Sequence, residues 1–420
     1  LPAASDGPAV IRTTSPTECP TELLTPTPEP VTLRFLTDSA FSTSRKAEAL
    51  GGDFKSAYAR IALESLRKAY VKGQNTVLSP LSVITALALT ANGARGTTQK
   101  QALELWSGEW DIDRLNEQLF SFREKLEADT DCRLVNADAV FLTEREDFIV
   151  NENYISLVSD TYRAQIAQLD FQKAGAAGSV NRWISDHTGG LIPAVLRDGD
   201  VNINTMMLLV NALCFDAEWA QPLQEAGKQV FHGVSGDRKT DWLWSYEYGY
   251  IAGDNETGFV KTYKGDQYAF VALLPREDLS VDAYLELLDG SRFLSLLKNV
   301  QYDLRTIVSM PAFTASTDTD LRALLSALGL ESWFVETADF TGLGTMADGS
   351  GVGLGKARHC SSFELGAAGT KAAASSVVSA TAAATSPPWD AEVRLDRPFV
   401  YAVIDLATGL PVFAGVFEGA

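Results

Sequence analysis

The chain has 420 residues, 46% of them hydrophobic, and a formal net charge of −19. So much apolar material can fill a large core and excludes a wholly disordered chain. The acidic balance excludes the basic face that nucleic acid or an anionic membrane surface demands. No apolar run approaches the roughly 18 residues of a membrane span, so no membrane insertion is expected. Leu1, with no initiator Met or signal peptide before it, reads as a processed or truncated start. Four widely spaced cysteines (Cys19, Cys132, Cys214, Cys360) suggest neither a metal site nor a disulfide scaffold. Three histidines (His187, His232, His359) leave histidine-based catalysis few places to act.

Along the chain, residues 1–31 hold a Pro/Thr-rich run from Thr13 to Pro30. Its prolines remove amide donors and forbid helix, so it reads as a semi-extended tether or a disordered tail ahead of one domain over 32–420. Apolar residues Tyr58, Ile61, Ala62, Leu66 and Tyr70 then recur at helical spacing between Phe54 and Tyr70. Ser79-Pro80 has the form of a helix cap with proline just inside. The helix it opens, through Ser82–Thr90, is apolar nearly all round and should be central. Thr98–Trp106 and Asp113–Leu126 look like exposed amphipathic helices. Strand-like runs follow at Asn136–Leu142, Met206–Phe215, Gly258–Tyr263, Tyr268–Leu274 and Thr306–Met310. Two short apolar runs around Asp405-Leu-Ala-Thr-Gly409 make a final hairpin. Helices early and strands late, without strand–helix alternation, indicate an α+β fold.

Enzyme motifs fare badly. In Gly349-Ser-Gly-Val-Gly-Leu-Gly-Lys356, Ser350 stands where a phosphate loop needs its first glycine, and Ala357 where it needs Ser or Thr. A flexible glycine loop explains it better. No G-x-S-x-G elbow is present for a nucleophilic serine.

Two C-terminal motifs say more. Val393-Arg-Leu-Asp-Arg-Pro-Phe-Val-Tyr-Ala-Val403, followed by Gly409-Leu-Pro-Val-Phe-Ala-Gly415, resembles the C-terminal signature of the serpins, and Gly369-Thr-Lys-Ala-Ala-Ala-Ser-Ser376 resembles the hinge of their reactive loop. Asn75–Thr98, Val135–Phe141, Asn181–Ile192, Asn204–Trp219 and Ala338–Gly342 are similar to other family stretches, so the resemblance runs from about Phe54 to Ala420. It implies a fold of about nine helices around three β-sheets, with a large central sheet and a reactive loop over about 369–390, exposed or inserted. It places Ser79, Ser82, Asn211 and His359 in a hydrogen-bonded shutter beneath that sheet. It places Trp219 at the breach, where the loop first enters. The histidine would hydrogen-bond, not catalyse.

The family's usual advance from the hinge glycine puts the attacked bond at Ala383–Ala384. Gly369, Thr370, Ala372, Ala373, Ala374, Ser375 and Ser376 form a small-residue hinge that could slide into a filled sheet without clashing. The implied activity is suicide inhibition: a serine protease attacks the bond, and the loop inserts and traps the acyl-enzyme one-to-one. Small residues at the bond suit elastase-like enzymes with a shallow primary pocket. The alternative within the resemblance is a non-inhibitory carrier or chaperone whose loop is merely cleaved. No enzyme activity, cofactor, metal or heparin dependence is expected, and a monomer, secreted or tethered at a cell surface, is. Three departures stand out. Ala367 and Ala368 replace acidic residues, and Ala312 replaces their lysine partner, so the breach is expected to be held by packing alone. Lys371 replaces a typical Glu, and the stretch after Pro387 is longer than usual. Cys214 and Cys360 are expected on neighbouring strands as free thiols.

Overall fold

The computed structural model describes residues 30–37, 45–127, 131–190, 194–197, 199–203, 205–355, 357–370 and 388–419; of 135–137, 212 and 214 it describes the backbone. Residues 1–29 of the expected tether and 371–387 of the expected loop lie outside the described residues.

Nine α-helices are present among the described residues: α1 (Gly52–Ala69), α2 (Pro80–Gly93), α3 (Gly96–Glu104), α4 (Ile112–Leu126), α5 (Glu152–Tyr162), α6 (Ala176–His187), α7 (Val281–Leu287), α8 (Gly290–Lys298) and α9 (Leu321–Leu325). The strands run, in order, β1 (Arg34–Phe35), β2 (Thr76–Leu78), β3 (Arg133–Thr143), β4 (Phe148–Val150), β5 (Gln165–Leu169), β6 (Met207–Glu218), β7 (Gln224–Gly233), β8 (Gly236–Glu247), β9 (Gly249–Ala252) and β10 (Glu256–Thr262). They continue with β11 (Tyr268–Pro275), β12 (Thr306–Pro311), β13 (Phe313–Asp320), β14 (Gly344–Met346), β15 (Ala357–Leu365), β16 (Gly369–Thr370), β17 (Ala391–Arg394), β18 (Phe399–Asp405) and β19 (Pro411–Phe417).

Every residue of α2 is buried, as its all-round apolarity requires. Ser79 starts it: the serine side chain accepts from the Ser82 amide at 3.1 Å, and Pro80 contributes no orphan donor in the first turn. The helices expected over Thr98–Trp106 and Asp113–Leu126 form as amphipathic helices, each with one buried side. Helix α4 buries Leu115, Leu119, Phe122 and Arg123 along one side. Trp106 lies beyond the end of α3, where it is fully buried and stacks on Phe54 at 5.4 Å.

Three larger sheets form, as the α+β reading requires, together with a two-stranded ribbon of β4 and β14. The large sheet has the order β1-β5-β3-β6-β16-β15-β13. Behind it stands the antiparallel sheet β2-β19-β18-β11-β10-β9, and at one end the sheet β17-β12-β8-β7. Aromatic rings fill the space between the first two. Phe270 lies within ring-contact distance of Trp219, Phe259, Phe363 and Tyr401. The hairpin β18–β19 closes through Asp405, whose carboxylate and carbonyl accept the Thr408 and Gly409 amides; Gly409 supplies the positive φ of 73°. The glycine-rich run after β14 leads into strand β15 rather than a helix, so no helix N-terminus is there to cradle phosphate. Among the described residues no helix is long and apolar enough to cross a membrane.

Candidate functional site

Long-range pairing brings β6 and β15 side by side in parallel, with Leu209–Leu213 opposite Ala357–Ser361. Above that stretch they part, and β16 sits between them: Gly369 and Thr370 pair antiparallel with Glu218 and Ala217, and Thr370 also pairs with Leu365. The expected hinge therefore begins inside the sheet, while the seam below is closed. Glycine at 369 has a steric cause. A Cβ there would stand 2.1 Å from the Ala217 carbonyl oxygen and 2.8 Å from the Glu218 Cα, closer than any side chain tolerates. Thr370 is buried and its hydroxyl lies 2.5 Å from that of Tyr263.

Trp219, fully buried, closes the top of β6 and stacks on Tyr263 at 4.3 Å. It holds the root of the loop from two atoms: its indole N–H donates to the Gly366 carbonyl and its amide to that of Ala368, each at 2.9 Å. The Leu223 amide donates to Ala367 at 2.9 Å. The expectation that packing alone holds this region is corrected here. Besides these hydrogen bonds, a buried ion pair lies behind Trp219, from a strand whose sequence gave no sign of it. Lys261 of β10 is 1% exposed. Its ammonium donates to the Gln221 carbonyl at 2.8 Å and the Glu247 carboxylate at 2.6 Å, and stands 5.4 Å from the Trp219 ring. Burial lowers its pKa from the usual lysine value, opposed by the Glu247 charge. Segment 219–223 is thus pinned from behind by Lys261 and grips residues 366–368 in front.

The four residues expected at the shutter lie along the closed seam, with contacts that differ from the expected set. His359 of β15 stands opposite Asn211 of β6. Ser79 reaches the His359 Nε2 with its backbone amide, at 3.1 Å, while its hydroxyl oxygen accepts from the Ser82 amide as the cap of α2. Ser361, not Ser82, brings a hydroxyl to that nitrogen, at 2.7 Å. The Ser82 hydroxyl has no hydrogen-bond partner among the described residues. Asn211 donates its side-chain amide to Asp138 of β3, which is also paired with Arg123 of α4 at 3.2 Å. Arg123 and Asp138 are both buried, so a helix is tied to the sheet through an internal charge pair. Burial pushes the His359 pKa down to about 4, opposed by the Asn211 backbone and the Asp318 charge.

Helix α6 lies across the outer face of this sheet, with Trp183 edge-on to Phe141 at 5.5 Å. Cys214 and Cys360 do fall on the adjacent strands β6 and β15, but Cys360 faces Ala212. The two-residue offset puts their Cα atoms about 8 Å apart, past the roughly 7 Å limit for a bridge. Cys360 is a free thiol, and burial raises its pKa to about 12. The expected bond Ala383–Ala384 and hinge residues Ala372, Ala373, Ala374, Ser375 and Ser376 fall outside the described residues.

Comparison with known proteins agrees with this architecture. The family model described as Serpin (serine protease inhibitor) matches residues 56–418. The chain belongs to the serpin family, whose members are generally inhibitors of proteases rather than catalysts. It is 27% identical to human (Homo sapiens) neuroserpin over 360 residues, covering 81% of this chain and 85% of that protein. To a serine protease inhibitor of Cyanea capillata it is 28% identical, covering 81% and 91%. The crystal structure of the thermophilic serpin tengpin in its native state superimposes with a TM-score of 0.85 at 30% identity, covering 92% of this chain and all of the other. The latent state of tengpin gives 0.76 at 28% identity, covering 89% and 99%.

Two outcomes follow from the buried charges. His359 is held neutral when folded, whereas unfolded it takes a proton near pH 6.5. Its contribution is full above pH 6.5 and is lost as pH falls toward 4, by at most about 3 kcal/mol. Urea unfolding across that range should weaken with acid, and His359→Gln should show a shallower slope; equal slopes would reject the assignment. Lys261→Met strands the Glu247 carboxylate and should cost about 3 kcal/mol. Adding Glu247→Leu should recover most of that loss, and a double variant as weak as the single would show the pair uncoupled.

Proposed function

We propose that this serpin is an inhibitor whose reactive loop is cut at Ala383–Ala384 and then fills the seam between β6 and β15. One observation carries the reading: Gly369 and Thr370 already occupy the first two positions of that seam, antiparallel to both neighbours, above a stretch where β6 and β15 pair directly. Residues 372–376 are all Ala or Ser, small enough to follow Thr370 between packed strands. Lys371 comes one residue after buried Thr370, so in the inserted strand its side chain would fall on the opposite, solvent face.

The chemistry is that of acyl transfer. The protease serine oxygen bonds to the Ala383 carbonyl carbon, and the bond to the Ala384 nitrogen breaks. That nitrogen leaves as an amine with a proton from the protease histidine. Water would normally free the enzyme from the resulting ester. Here the new chain end is released from its tension and can enter the sheet, carrying the protease with it; strand addition of this kind is established behaviour for serpins. Alanine on both sides of the bond favours a protease with a shallow primary pocket, so elastase-like enzymes are the proposed partners, one per monomer. The Pro/Thr-rich run before Pro30 supports placement outside the cell, free or tethered to a surface.

Mixing with an elastase tests this. A band that survives boiling in SDS, with a released fragment starting at Ala384 or a neighbouring residue, is expected; cleavage without such a band marks a substrate, as a non-inhibitory carrier would be. Ala374→Glu places a charge beneath the sheet at a cost of several kcal/mol. That variant should turn from inhibitor to substrate of the same enzyme. Full complex yield from it would reject insertion as the trapping step.

A further inference from the structure

The outer face of the β17-β12-β8-β7 sheet carries side chains that the proposed function does not use. On that face of β8, Trp244 and Tyr246 are partly exposed, Trp242 beside them is fully buried, and Tyr248 follows at the same spacing. Arginines cap two of these rings: Arg394 lies 4.4 Å over Trp242 and Arg305 lies 3.7 Å over Tyr246. Beyond them Tyr248, Tyr302 and Trp389 are 56%, 62% and 48% exposed. Backbone hydrogen bonds gather these rings at one edge. Asp390 and Arg305 are joined by their amides, to the Arg305 carbonyl at 2.8 Å and the Asp390 carboxylate at 3.0 Å. Gln301 and Tyr250 exchange a pair at 2.8 and 3.0 Å. Trp389 and Tyr302 therefore flank the strand end where Tyr248 stands. On a chain of net charge −19, this edge is a patch of Tyr, Trp and Arg, the residues that dominate binding hot spots.

We infer that this aromatic edge is a second contact surface for the attacking protease, one that sets which enzymes the loop captures. The inference rests on the cleavage reading above. Its geometric ground is reach. From Ala383 to Trp389 the chain advances six residues, which span at most about 20 Å fully extended. An enzyme closed over Ala384 and the residues after it has its own surface within that distance of Trp389. The chain between is too short to carry it clear of the edge. Tyr248 and Tyr302 lie outside the loop, so they can select a partner without altering the bond that is cut. Their rings offer large contact area at low entropic cost, and a partner surface with apolar groups and carbonyl acceptors for Tyr hydroxyls and Arg305 fits them. Discrimination would then appear in the rate of encounter and capture, and not in the fraction of attacks that end in a trap.

The double variant Tyr248→Ser/Tyr302→Ser tests this; both side chains are exposed, so folding should be unaffected, and the unfolding midpoint checks that. With an elastase that wild type captures, the second-order rate should fall about tenfold at unchanged inhibitor-to-enzyme stoichiometry. An elastase whose nucleophilic serine is replaced by alanine gives a second reading, since it binds without cutting. Its Kd should rise about tenfold in the variant even if wild type proves to be cut without trapping, which would overturn the proposed function and leave the contact surface standing. Equal rates and equal Kd values for wild type and variant, or no measurable binding of the inactive enzyme, would overturn the surface itself.

Discussion

Five residue pairs between β6 and β15, parallel and edge to edge, close the large sheet below the point where β16 enters it. Parallel pairing is slightly weaker per residue than antiparallel. A segment entering between these strands runs antiparallel to both, as Gly369 and Thr370 already do. Continuing that entry exchanges one parallel ladder for two antiparallel ones. If the residues after Thr370 follow that path, as proposed above, the closed seam is not the arrangement with the most strand pairing. On that proposal the closed form persists because the seam must open before the exchange begins, and its durability is a matter of rate.

What resists opening is largely polar and buried. His359 joins the seam to α2 through the Ser79 amide, and Asn211 passes the connection to Asp138 and so to Arg123 on α4. At the top, Trp219 and Leu223 hold residues 366–368 while Lys261 and Glu247 hold the segment that bears them. Buried pairs of this kind add little net stability over apolar packing, yet they are costly to break singly. That property suits a latch. It gives a specific closed geometry and concentrates the penalty for leaving it in a few contacts, and α6 packs on the same sheet.

Much of this was legible in the chain itself. The capped, all-apolar α2, the C-terminal hairpin and β6 follow from periodicity and turn chemistry, β15 came only from the family resemblance, and the need for glycine at 369 is explained by one carbonyl of β6. Other features could not be read. Lys261 stands in a strand where a lysine reads as a solvent position, and its partner Glu247 belongs to another sheet. Arg123 looked like part of an exposed face because Asp138 is fifteen residues away across a turn and a strand. The register that sets Cys360 against Ala212 comes from pairing between distant strands, which no local pattern encodes. Similarly, Ser79 could be named as a shutter residue, but not that its backbone amide would be the group that meets His359.

The central claim is that the closed seam accepts a strand once the loop is cut. Thermal unfolding of intact protein, compared with protein nicked within 371–387 by a non-target protease, tests it without any inhibitory complex. Filling the seam adds hydrogen-bonded ladders on both sides of the new strand, so the nicked form should unfold at a markedly higher temperature than the intact one. A nicked form that melts at the same temperature or lower would contradict the account, because it would mean that the seam stays shut with its loop free to enter.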